Sequence, residues 1–254
     1  SVFQVVLKLD RQATLRDVYR SNRIAKSVIG GFILIQCYSV VIRNFDWITS
    51  YSLARVDVEN HPNSAKLHYL RATTTRNEYT LFPNRSKEKQ IEIASSHYSQ
   101  AIKIYPDWDL PKLELGYLYL NDKNQPSEAM MVFRTALSLD SLNVKARIGL
   151  ARALAANKEN GMAIENFAKV LESEPNNKEA LNQIVSLYFV EEHLEGAQLF
   201  NQRFFQFHPN SFEPYVHQGN LHLAEGDTLR ALAYFEDALT KKVLNQGSRI
   251  MLKA

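Results

Sequence analysis

Cysteine is nearly absent, with Cys37 the sole one, and the chain has only nine glycines and eight prolines in 254 residues. A single cysteine excludes an intrachain disulfide and leaves the redox compartment open. So few glycines and prolines exclude a linker-rich or low-complexity chain. Blocks of one charge are also missing: 30 Lys and Arg are interspersed with 27 Asp and Glu, for a net charge of +3. That pattern gives no footprint for nucleic acid. The motifs G-x-x-x-x-G-K-[ST], G-x-S-x-G and H-E-x-x-H are absent, and the seven histidines are scattered. His217 and His222 stand five apart, a spacing that does not share one helix face. Paired acids such as Glu191-Glu192 read as solvated surface. The residue types offer no phosphate cradle, no activated nucleophile and no metal cluster. Residue 1 is Ser with no signal peptide visible after it, so the chain reads as a segment of a longer protein.

What is present is a period. Ala129, Ala163, Ala197 and Ala231 are 34 residues apart, and so are Pro175 and Pro209. Thirty-four residues is the length of a tetratricopeptide (TPR) repeat, whose pattern W-x2-L-G-x2-Y…A-x3-F…P is met by Leu115, Gly116, Tyr119, Ala129 and Phe133, followed by Ala136. Lys112 replaces the opening aromatic. Later units keep Leu150, Ala151, Ala163, Phe167 and Pro175, then Tyr188, Ala197 and Pro209, then Tyr215, Gly219, Ala231, Phe235 and Ala238. Four full repeats follow, at 109–142, 144–177, 178–211 and 212–245, with 246–254 starting a further helix or cap. The expected fold class is all-α, a superhelix of helix-turn-helix pairs. Small residues let the two helices of a pair approach, the phenylalanines fill the space between them, and proline ends one pair and turns the chain into the next. An unrelated helical bundle is the alternative, and it does not account for several offsets recurring together.

Two departures stand out. The third repeat carries Asn201 where the aromatic belongs and Phe204 where a small residue belongs, so Leu199, Phe200 and Phe205 are expected to repack the gap. Upstream, Ala94, Tyr98, Ala101 and Pro106 mark another second helix, but Pro62 lies 44 residues before Pro106 instead of 34. The polar stretch Pro83-Asn84-Arg85-Ser86-Lys87-Glu88-Lys89 is the natural place for the inserted residues, a loop at about 81–90 in a region, 43–108, that comprises a junction and a degenerate first repeat. Asn84-Arg85-Ser86 is also a glycosylation acceptor triplet.

The first 62 residues differ in character. Ser27 to Ile42 is a run of sixteen uncharged residues, extended to nineteen by Ile24, Ala25 and a snorkelling Lys26. One transmembrane helix over 24–42 is the expectation, with a buried segment of a soluble domain as its alternative. Six basic residues lie between Lys8 and Lys26, against Arg43 and Arg55 alone between Arg43 and Asn60. By the positive-inside rule residues 1–23 are cytosolic and the repeats lie across the membrane, with Tyr38 and Trp47 suited to its aromatic belts.

Beyond the span come Arg43-Asn44-Phe45-Asp46-Trp47, then Ser52-Leu53, then Asn63-Ser64-Ala65-Lys66-Leu67. Arg43 suits lipid phosphates, and Asp46 suits backbone donors opening a helix that runs to about Glu59. With the apolar span before it and TPRs after it, this junction resembles the transmembrane and TPR-repeat-containing O-mannosyltransferases of the endoplasmic reticulum. The distinctive match covers residues 43–67, while the TPR match over 109–242 is shared by many families. The resemblance implies a polytopic membrane enzyme that moves mannose from dolichyl-phosphate mannose to Ser or Thr of acceptor proteins, with the TPR array in the lumen. It implies no catalytic residue in this segment and no cofactor held by it. Only Arg43, Asn44, Asp46, Trp47, Leu53, Asn63, Ala65, Lys66 and Leu67 match, and Ile48-Thr49-Ser50 departs where an acidic residue is usual.

Within the array, helical phase puts Tyr117, Arg152, Asn182 and Asn220 on the first helices of adjacent pairs, facing the concave side. An aromatic, a guanidinium and two amides suit an extended peptide, whether an acceptor protein or another partner. A solvated concave face is the alternative. Chaperone-tail docking is disfavoured, because Leu113 and Tyr117 stand where such repeats need Lys and Asn. The second functional class is a membrane-anchored TPR scaffold without enzymatic activity.

Overall fold

The computed structural model describes residues 27, 29–38, 50–81 and 86–251. The chain divides into two units, Ser1–Pro62 and Asn63–Ala254. In the first, residues 29–38 are helical and expose Phe32, Ile33, Leu34, Ile35 and Tyr38, and a second helix, α1, covers Ser50–Asn60. Among the described residues no helix is long and apolar enough to cross a membrane. Within the expected span at 24–42 the described residues are 27 and 29–38, all helical. The rest of that span, and the junction residues Arg43, Asn44, Asp46 and Trp47, lie outside the described residues.

Among the described residues the second unit has ten α-helices in five antiparallel pairs: α2 (Ala65–Leu81) with α3 (Lys87–Ile104), α4 (Asp109–Tyr117) with α5 (Pro126–Leu139), α6 (Val144–Ala156) with α7 (Asn160–Ser173), α8 (Lys178–Val190) with α9 (Leu194–Phe207), and α10 (Glu213–Ala224) with α11 (Thr228–Met251). Each helix packs on its partner and on the next in the chain. First helices of successive pairs also touch, α4 with α6 and α8 with α10. Close approach on that side is what curls a solenoid with its first helices inward.

The first pair carries the extra length as added helical turns: α2 has 17 residues and α3 has 18, and the segment between them is 82–86. Asn84 lies outside the described residues. The last helix, α11, is 24 residues long and continues past 245 without a break.

The repeated residues have repeated jobs. Asn143 and Asn177 cap α6 and α8, each accepting from a backbone N–H three residues on at 3.0 Å. Phe133 and Phe167 are fully buried in one continuous core with Ala129, Ala151, Ala163, Leu154 and Ile184. Phe133 sits between two helices at glycines: a Cβ on Gly116 would lie 2.7 Å from its ring, and one on Gly149 2.4 Å. Lys112, in place of the opening aromatic, is buried and donates to the carbonyls of Pro106 and Trp108. Arg147 and Tyr215 hold the same place in their pairs and likewise reach back six residues, to the carbonyls of Ser141 and Pro209. A long donor thus closes the inter-pair turn in three of the repeats.

In the third full repeat, Asn201 is fully buried and donates to the Pro214 carbonyl at 3.0 Å and the Gln218 side chain at 3.2 Å, while its Oδ1 has no partner. Phe204 fills the core, Phe200 packs near Tyr188, and Phe205 meets the Tyr215 ring edge-on. Leu199 takes no part, being 57% exposed, which corrects the expected repacking. Gln198, in the register of Met130 and Ile164, lines a surface depression of about 340 Å³ with Leu194, Leu199 and Leu221.

Turns within pairs share a conformation that residue type does not announce. Asn124, Lys158, Glu192 and Gly226 have φ of 53°, 64°, 56° and 82° and recur every 34 residues. Each follows a first helix at its left-handed C-terminal position. At Lys158 the bonds Glu159 N–H to Leu154 O and Lys158 N–H to Ala155 O form the Schellman pattern.

Candidate functional site

The row of first helices begins at α4, which does not end normally. Its last turn, Leu118–Asp122, is a π-helix. Gly116 and Ala129 are 13 residues apart, against 12 for Ala151 to Ala163 and for Gly219 to Ala231. The π turn absorbs that one extra residue, as such bulges do, often at functional positions. It presents Asn121 and Asp122 to neighbours on either side. Asp122 accepts from Arg76 Nε of α2 at 2.9 Å, and Asn121 Oδ1 accepts from Arg152 Nη2 of α6 at 3.1 Å.

From there the side chains link helix to helix. Arg76 also donates to Glu114 at 2.9 Å, so its guanidinium faces two carboxylates. Tyr117 is half-buried, its hydroxyl donates to the Lys145 carbonyl at 3.1 Å, and burial pushes the phenol pKa up. The Arg152 guanidinium lies over the Tyr117 ring, 5.8 Å from its centroid. It reaches on to α8, where Glu179 Oε1 is 3.7 Å away. Asn182 is three residues further along α8, hence on the same face. Its Oδ1 lies 2.9 Å from His217 Nε2 of α10. Asn220, again three residues on, is exposed. Lys178 and Glu213 form a further bridge between α8 and α10 at 2.9 Å.

Three of the four residues singled out from sequence, Tyr117, Arg152 and Asn182, therefore lie in one connected row across α4, α6, α8 and α10, and Asn220 stands one turn from its end. Sequence reasoning missed Asn121, Glu179 and His217. His217 is buried beside Phe189 and Phe204, and that burial pushes its pKa down to about 4, so the ring is neutral near pH 7 and Nε2–H donates to Asn182. His222 takes a different place, stacked on Tyr234 and 3.0 Å from Glu225. A second buried contact joins α2 to α3, where His68 and His97 meet Nδ1 to Nδ1 at 2.8 Å. Desolvation, with His68 and Arg71 nearby, brings His97 down to about 4.

Chemically the row is a strip of fixed hydrogen-bonding groups on a rigid scaffold. It contains no nucleophile beside a base, and among the described residues no group of three or more His, Cys, Asp or Glu stands ready for a metal ion.

Solved structures with this arrangement define the class: the second unit has the TPR fold. MamA is similar at 20% identity with a TM-score of 0.57, covering 63% of this chain and 93% of its own. PilW, a type IV pilus biogenesis factor, is similar at 17% with a TM-score of 0.59 over 84% of this chain and 91% of its own. YrrB, described as a TPR protein with an unusual peptide-binding site, is similar at 17% with a TM-score of 0.55 over 79% and 98%. Identities at this level carry the fold alone. No protein-family model and no curated protein matches the chain.

Proposed function

We propose that the chain is a protein-binding scaffold whose row of first-helix side chains holds an extended segment of a partner. The observation that carries this reading is the continuity of Tyr117, Arg152, Asn182 and His217 across four helices, on the side where first helices approach one another. An extended strand laid across stacked pairs would meet these groups in sequence, trading main-chain hydrogen bonds with the amides. YrrB's described peptide-binding site is a precedent for the fold. The test is the triple variant Arg152→Ala, Asn182→Ala, Asn220→Ala in the full-length protein. It should keep its helix content and lose the proteins that co-purify with the wild type. Unchanged co-purification would reject the row as the binding surface.

We further propose, from the junction at 43–67, that the array is the lumenal, acceptor-handling part of an O-mannosyltransferase of the endoplasmic reticulum membrane, using dolichyl-phosphate mannose. The apolar run at 24–42 would anchor it, and Asn84 would carry an N-glycan. What supports this is the motif and the exposed apolar side chains at 29–38. Membranes containing the full-length parent should transfer mannose to Ser or Thr, and residues 43–254 alone should transfer none. Failure of both mannose transfer and glycosidase sensitivity would leave the non-enzymatic scaffold.

A further inference from the structure

The groups along the row are not equally occupied, and the differences select a partner chemistry. Arg76 is tightly held, by the Glu114 and Asp122 carboxylates at 2.9 Å each. Arg152 is not. Asn121 takes one amino group, and its remaining ion pair, to Glu179, is loose at 3.7 Å with the two side chains 37% and 45% exposed. A pair at that distance and exposure is readily exchanged for a better-placed acceptor. One turn along α8, the Asn182 oxygen is committed to His217, so the donor end of its amide is the end left to offer a partner. The Tyr117 hydroxyl spends its one hydrogen-bond donor on the Lys145 carbonyl. The middle of the row therefore offers a guanidinium on α6 and, one turn beyond Glu179 on α8, an amide donor, with the Glu179 carboxylate as the charged group already competing for the guanidinium.

We infer that this stretch takes a carboxylate side chain of an extended partner segment, bound by Arg152 in place of Glu179 and flanked by a partner carbonyl on the Asn182 amide. The inference rests on the row being the partner surface. Glu179 then acts as an internal stand-in for the partner's acid and His217 as a positioning residue that fixes which end of Asn182 faces out. A phosphate would fit the same planar fork, but a single neighbouring amide donor matches the smaller charge and fewer acceptor oxygens of a carboxylate.

The test uses three capped, fluorescein-labelled peptides against the full chain, followed by anisotropy at low salt: Gly-Ser-Asp-Gly-Ser-Asp, the same peptide with Asn for Asp, and the same with Lys for Asp. The acidic peptide should bind at least about tenfold tighter than its Asn twin, the discrimination expected of a charge-assisted bond. Arg152→Ala should abolish that preference, Arg152→Lys should keep part of it, and Glu179→Gln should tighten binding several-fold by removing the competitor. His217→Phe should weaken the acidic and Asn peptides alike, while Arg152→Lys weakens only the acidic one. Equal binding of the acidic and Asn peptides, lost in Asn182→Ala, would overturn the acidic preference and leave the row as partner surface. Tighter binding after Arg152→Ala, or no binding of any of the three, would overturn the inference. Photo-crosslinking of whole partners to the opposite face would overturn the row itself.

Discussion

Lys158 and Glu192 occupy backbone that favours glycine, and Gly226 occupies the same place one or two repeats on. A side chain at φ near +60° is strained by its Cβ, so Lys158→Gly should stabilise the array by up to about 1 kcal/mol, with part of the relief returned as unfolded-chain entropy. Urea denaturation measures it, and a loss of stability would mean that the Lys158 side chain carries an unseen interaction. Histidine provides the second prediction at this scale. His97 and His217 fall from 6.5 to about 4 on folding, so the unfolded chain binds protons at these rings at pH values where the folded chain does not. Their stability contribution is complete above pH 6.5 and is lost as pH falls toward 4. For buried His217 the loss is on the order of 3 kcal/mol across that window. A melting temperature that falls across this window in the wild type, and falls less in His217→Gln, is the expected result. The sequence announces neither effect. A lysine at a left-handed position looks like any other lysine, and His217 meets Asn182 across 35 residues that the repeat period does not align.

Between helices, the closest packing is Phe133 against Gly116 and Gly149. An alanine at 149 would bring its methyl to 2.4 Å from the ring, so Gly149→Ala should cost about 1–3 kcal/mol by overpacking. Phe133→Leu in the same chain should recover part of that loss, giving a coupling that chemical denaturation of the four forms reads directly. An additive result would mean that Phe133 moves aside without cost. The period made Gly116 and Phe133 legible, because their offsets match the repeat pattern. Gly149 was not, since no other repeat has a small residue there: Gln183 and His217 hold that register. The π turn at Leu118–Asp122 was visible as a spacing of 13 instead of 12, but spacing does not say whether a loop or a helix takes up the extra residue. The same ambiguity governs the first pair, where a polar segment read as a loop insertion and the structure carries the length as longer α2 and α3.

At the scale of the whole array, the core and the row of first-helix side chains are drawn from different residues. The core is built from residues that recur, Ala129, Ala163, Phe133 and Phe167 among them, whereas the row is built from residues that do not: tyrosine, arginine, asparagine, one per pair. Repetition therefore exposes the fold, and helical phase exposes which face the variable residues share. Phase cannot show that Arg152 is shared among Asn121, Tyr117 and Glu179, because those contacts join three separate stretches of chain. Arg152 and Asn220 lie outside the buried core, so replacing them should leave the melting of the array nearly intact, unlike changes at the buried His217.

Face selectivity is the most direct test of the row as the partner surface. A photo-crosslinking amino acid placed at Asn220, exposed beside the row on α10, and separately at Met131, 68% exposed on the second helix α5, would report which side of the full-length protein partners occupy in cells. Adducts at 220 that disappear with Arg152→Ala and Asn182→Ala, and none at 131, are what this account predicts. Adducts at 131 with none at 220, or adducts at 220 indifferent to both substitutions, would contradict it.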